Sequence, residues 1–184
     1  LNQHLSPTEI QQHLQAATTA FTDYCTSLTE EQFFMQPPGK WSAAQQAKHL
    51  VTATNTARYA FTLPAFIVRL VGGKPNRASR TYDELVTKYK LKLEQGGRAG
   101  KRYIPKPIPP SYGKEKLLKQ FGDAMQKFGT SITKNRTDAT LDQYLAPHPL
   151  LGKITLRELC YFTIYHIYHH KDNISRQLNS PPLS

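Results

Sequence analysis

No apolar run in this 184-residue chain approaches the roughly 20 residues that a membrane-spanning helix needs, so no such helix is expected. Cysteine is scarce. Cys25 and Cys160 alone cannot make a disulfide framework, and two reduced core thiols in a cytoplasmic protein are the expectation. Residues 1–5 have neither a basic start nor a long apolar stretch, so they do not read as a secretory leader. Chemistry-bearing motifs are missing too. There is no His-Glu-x-x-His pair, no Cys-x-x-Cys pair, no phosphate-cradling glycine loop and no nucleophile elbow. Acidic residues are also few, 13 against 24 Lys and Arg, which leaves a formal net charge of +11.

That charge is concentrated. Residues 69–119 carry 14 Lys/Arg against Asp83, Glu84, Glu94 and Glu115. A segment of this kind attracts polyanions or an anionic small molecule, or is simply a solvated surface. Tyr82, Tyr89, Tyr103 and Tyr112 are interleaved with the cations. Nucleic-acid binding is nevertheless the least favoured reading, because no recognised binding motif accompanies them.

What the chain does have is helix punctuation. Ser6-Pro7-Thr8-Glu9, Ser42-Ala43-Ala44-Gln45 and Thr155-Leu156-Arg157-Glu158 each read as a capping box opening a helix. Behind them, apolar residues recur at helical spacing over residues 7–28, 43–62 and 156–178, and again over 114–133. Sustained alternation of period two is absent, so an all-α bundle of four helices in one domain, 1–184, is predicted, without a sheet. Pro64 should end or kink the second helix. The connection 63–113 holds a short helix over 82–93, a glycine-rich turn at 96–100 and an extended proline-rich stretch at 104–110. A crossover this long lets the second and third helices run parallel, and in a compact domain it is commonly a lid or binding element.

Histidines carry the chemistry. His166 and His170 are four residues apart on the core-facing stripe of the last helix, one turn from each other. His49 sits about 10 Å into the second helix and His170 about 12 Å from the end of the fourth, so antiparallel packing brings them level. Imidazoles on a buried stripe need partners, either a metal or ordinary hydrogen bonds. Three neutral histidines around a divalent ion would leave coordination positions open, the pattern of catalytic sites. Asn173, Thr52 and Gln45 lie within a turn of these residues and are candidate acceptors for their outer nitrogens. His169, about 100° around the helix from His170, is expected to face away or pack behind it. His148, in Ala146-Pro147-His148-Pro149-Leu150, is expected to cap a turn or approach the mouth of the site. His4 and His13 read as surface residues.

Two stretches resemble a known family. Pro37-Pro38-Gly39-Lys40-Trp41-Ser42 with Lys48-His49-Leu50 is similar to the first signature of the DinB/YfiT-like superfamily. His148-Pro149-Leu150-Leu151-Gly152-Lys153-Ile154-Thr155 with Tyr165-His166-Ile167-Tyr168-His169-His170 is similar to the second. The resemblance implies an up-down-down-up four-helix bundle and a divalent metal, zinc or nickel, held by His49, His166 and His170. It also implies an enzyme that transfers a low-molecular-weight thiol, with a metal-dependent hydrolase or a non-catalytic bundle with a structural metal or none as alternatives. A homodimer acting on a small, anionic substrate completes the expectation.

Overall fold

The computed structural model describes residues 4–179. The single-domain expectation for 1–184 and the reading of residues 1–5 therefore fall partly outside the described residues. The principal helices are α1 (Pro7–Ser27), α3 (Ala43–Thr62), α6 (Lys114–Asn135) and α8 (Leu156–Asn179). Shorter ones, α2 (Glu30–Phe34), α4 (Ala65–Gly72), α5 (Tyr82–Glu94) and α7 (Asp138–Gln143), fill the connections. The three capping boxes read from the sequence are formed: Ser6 with Glu9, Ser42 with Gln45, and Thr155 with Glu158. Thr29, Thr81 and Thr137 begin α2, α5 and α7 in the same way.

Cross-helix contacts fix the direction of each long helix. At the start of α1 the Leu5 amide donates to the Tyr161 hydroxyl near the start of α8, and Lys171 near the end of α8 lies over the Tyr24 ring near the end of α1. These two helices run parallel. Lys114, opening α6, donates to the Thr26 and Leu28 carbonyls at the end of α1, so α6 runs the other way. Lys48 reaches Gln120, Thr54 reaches Met125 and Phe61 packs on Phe128, which makes α3 parallel to α6. The topology is up-down-down-up, and its core is an apolar cluster that includes Ile10, Phe21, Leu50, Phe121, Phe128 and Ile167.

Two parallel neighbours require the chain to travel back the length of the bundle. The connection does so through α4, α5, a 3-10 turn at Lys101–Tyr103, extended chain and a second 3-10 turn at Pro110–Tyr112. Its first part is clamped to the start of α8. Arg77 makes a bidentate pair with Glu158 at 2.7 and 2.9 Å, and the Arg80 backbone and side chain reach the same carboxylate. Beside it, buried Arg157 binds Asp142, Asp138 and the Leu5 carbonyl. The tyrosines of the basic segment are buried or half-buried. Tyr89 is buried, Tyr82 packs edge-on against Tyr161, and the Tyr112 hydroxyl donates to Gln120.

The expectation of no sheet is corrected. β1 (Leu145–His148) and β2 (Gly152–Thr155) form an antiparallel hairpin with Leu145 opposite Thr155. Four residues per strand give alternation no room to register, and the two prolines flanking His148 disguise it further. The last turn of α4 presses on this hairpin: a Cβ at Gly72 would stand 1.9 Å from the Leu145 carbonyl oxygen, so only glycine fits there.

Candidate metal centre

α3 and α8 face each other with small or polar residues where their inward stripes meet, and the three histidines occupy that seam. His49, His166 and His170 are each nearly inaccessible, at 5%, 5% and 6% exposure. Their Nε2 atoms converge. His49 Nε2 lies 3.2 Å from His166 Nε2, which is 3.0 Å from His170 Nε2. One ligand atom from each ring falls within 4.8 Å of the others.

The outer nitrogens decide what those converging atoms present. His49 Nδ1 is 2.7 Å from the Tyr103 carbonyl oxygen, and His170 Nδ1 is 2.9 Å from Gln46 Oε1. A carbonyl only accepts, so His49 carries its proton on Nδ1. The Gln46 amide nitrogen faces two acceptors, the Trp41 carbonyl and Gln177 Oε1, which fixes its oxygen toward His170 and gives that ring the same tautomer. Both rings therefore aim bare lone pairs at His166 Nε2. That nitrogen can donate one proton to one of them, so at least one lone pair is left without a donor in a buried site. A cation at the point of convergence satisfies all three.

The walls keep the imidazoles neutral. Trp41 stacks near-parallel to His170 and tilts over His49, while Phe162 stacks on His166 at 4.7 Å. Burial, reinforced by the neighbouring imidazoles, holds His166 and His170 well below the usual imidazole pKa. Burial also lowers His49, partly offset by its bond to Tyr103. Neutral imidazole is the form that binds a metal.

The other sequence candidates separate clearly. Gln45 is tied back to Ser42 by its capping box and donates to the Pro105 carbonyl. Thr52 donates to the Lys48 carbonyl one turn back. Asn173 pairs with His169 Nε2 at 3.0 Å and receives Arg176. The acceptors for the outer nitrogens are instead Gln46 and the Tyr103 main chain, neither foreseen. Residue 45 is held by its cap, and residue 46, about 100° further round, points at α8. The sequence contained that signal, whereas a main-chain acceptor supplied by a distant turn leaves none. His169 packs behind His170 at 5.3 Å and lines the cavity. His148 sits at the hairpin turn. Its Nδ1 accepts the Leu150 and Leu151 amides, closing the hairpin turn, and its ring packs at 4.2 Å on Phe162 beside the site. Burial pulls its pKa down to about 4.

Above the histidines opens a cavity of about 740 Å³. Lys40, Arg98 and Arg102 stand at its rim, and among the described residues that line it there is neither Asp nor Glu. The two cysteines stay out of the chemistry: both are buried and unpaired, and burial pushes the Cys25 thiol up to about 12.

Removing the Gln46 acceptor is expected to weaken metal binding by roughly 10–100-fold, the usual effect of losing an outer partner. Competition titration of Gln46→Leu and wild type against a chelator checks it.

A family model described as the DinB superfamily matches residues 13–173. YfiT from Bacillus subtilis, described as a probable metal-dependent hydrolase with an unusual four-helix bundle topology, superposes with a TM-score of 0.53 at 17% identity, over 95% of this chain and 89% of that one. No curated protein matches the chain.

Proposed function

The chain belongs to the DinB superfamily, and on that footing we propose that it is a metal-dependent enzyme whose first reaction is transfer of a low-molecular-weight thiol to an electrophile. The observation that carries the proposal is the convergence of three buried Nε2 atoms at the floor of a cavity with a cationic rim and no carboxylate in its wall. His49, His166 and His170 would hold a divalent ion; zinc and nickel, the metals the family resemblance implies, are both among those that imidazole donors suit. When bound, such an ion supplies positive charge that stabilises the conjugate base of a thiol or of water.

The surrounding residues favour the thiol. A free thiol has a pKa near about 8.5, against 15.7 for water, so it needs far less help to ionise. A hydrolase of this kind ordinarily adds a carboxylate base, and the described residues lining the cavity offer none. Lys40, Arg98 and Arg102 are placed to grip carboxylates on the thiol or its acceptor. Trp41 and Phe162 exclude water from the imidazoles. In the transfer, the sulfur–carbon bond forms as the bond from carbon to the leaving group breaks; the leaving group departs with the electron pair, and the thiol proton passes to solvent.

Metal-dependent hydrolysis is the second reading, favoured by the description of YfiT. The two are separated by assaying protein purified without a metal-affinity step, after elemental analysis, against a panel of low-molecular-weight thiols with an electrophile and against ester and amide substrates. Metal-dependent thioether formation is the expected result. Metal-dependent hydrolysis without thiol consumption would sink the transferase reading and leave the hydrolase.

A further inference from the structure

The cavity extends beyond the residues just described. Among the α3 residues that line it after His49, Ala53, Ala57, Ala60 and Leu63 form one continuous helical face extending about 20 Å from the histidines at 1.5 Å per residue, flanked by Thr54, Thr56 and Tyr59. The alanines are half-buried, so their methyl groups form a wall without filling the space in front of it. Ile67 and Val71 of α4 close the far end. Thr56 and Thr163, which also line this arm, turn their hydroxyls back to the carbonyls of Thr52 and Leu159 on their own helices and present methyl groups. Past the end, α4 carries apolar surface outward, with Phe66 72% and Leu70 83% exposed.

An apolar arm about 20 Å long, continuous at one end with a triad under a cationic rim, fits one kind of molecule. We propose that the acceptor substrate is amphipathic: an anionic or polar head at the histidines and an unbranched alkyl tail lying along α3 toward α4. The proposal deepens the functional reading above, since it takes the triad as the reacting end.

Straight-chain carboxylates from butanoate to tetradecanoate, titrated calorimetrically into metal-loaded and metal-free protein, test it. Affinity is expected to rise roughly four-fold per added methylene and to level off once the chain passes Val71. In Ala57→Phe the levelling comes at a shorter chain, with short-chain affinity and metal content unchanged. Val71→Glu, a change at a half-exposed position that spares the core, weakens only the longest chains. A flat series, or a loss in Ala57→Phe that is equal for short and long chains, overturns the proposal. Chain-length dependence in protein that binds no metal would leave the arm standing and remove the metal reading. Stoichiometric metal with a flat series would do the reverse.

Discussion

Alanine at any one of His49, His166 or His170 is expected to abolish stoichiometric metal binding and to reduce turnover to the level of metal-free protein. The affinity loss exceeds the roughly 100-fold at the upper end for an outer partner, because a donor atom itself is gone. Two effects follow in stability, and they separate the variants from mere misfolding. The wild-type protein is expected to lose melting temperature on chelation: an ion present at a thousand times its dissociation constant would contribute about 4 kcal/mol, or roughly 10 °C for a chain of this size. The alanine variants start lower and no longer respond to chelator. His49→Ala strands the Tyr103 carbonyl and His170→Ala strands Gln46, each at about 1–3 kcal/mol for an unpaired buried group. Elemental analysis with thermal melts in the presence and absence of chelator reads both. Alanine variants of all three positions that keep one equivalent of metal would remove the assignment.

The second large effect lies away from the cavity. Glu158→Ala is expected to cost about 3–5 kcal/mol, the range for breaking a buried ion pair by removing one partner. Its side chain is fully inaccessible and holds Arg77, the Arg80 main chain and the Thr155 amide, so one change undoes a helix cap and the clamp on the crossover. Arg77→Ala, at a side chain one-third exposed, costs nearer 1 kcal/mol. Chemical denaturation of both variants measures the difference. Acid acts on the same carboxylate. Burial alone would raise its pKa, but the hydrogen bonds from Arg77, Arg80 and Thr155 outweigh burial and hold it below the ordinary value of 4.5. A depressed carboxylate contributes stability that is present above pH 4.5 and lost as pH falls through its folded value. The histidines are depressed from 6.5, so their contribution begins to fall away earlier, below pH 6.5, with His148 protonating near 4. Stability of metal-free wild type should therefore decline from about pH 6.5 downward and more steeply below 4.5, and Glu158→Ala should show a shallower decline below 4.5, where Asp142, held low by Arg157 and Ser79, still contributes.

Legibility in the sequence followed how local each signal was. Three helix starts were readable because a capping box is written in four consecutive residues. The seam of His49 against His166 and His170 was readable because helical rise converts position into depth. α4 was missed inside the irregular crossover, although Pro64 stands as its N-cap and Phe66-Ile67-Val68 opens it. The hairpin was missed because its strands are shorter than the pattern that announces a strand. The up-down-down-up order was implied by resemblance alone, since a long connection permits parallel neighbours without requiring them. Gln46 is the instructive failure. Gln45 and Gln46 look equivalent as a pair, and only the geometry of the cap, which commits the first to Ser42, frees the second for His170.

The placement of the histidines also constrains how the chain acquires the site. His49 and His166 are 117 residues apart and lie on helices that meet antiparallel across the seam. Loop-closure entropy makes such contacts late ones, formed after α1, α3 and α6 have local structure to build on. The donor set therefore comes together only when the C-terminal helix docks, and it comes apart when that helix lifts. An ion held there would act as a latch on the final folding step, joining the two helices that are last to meet.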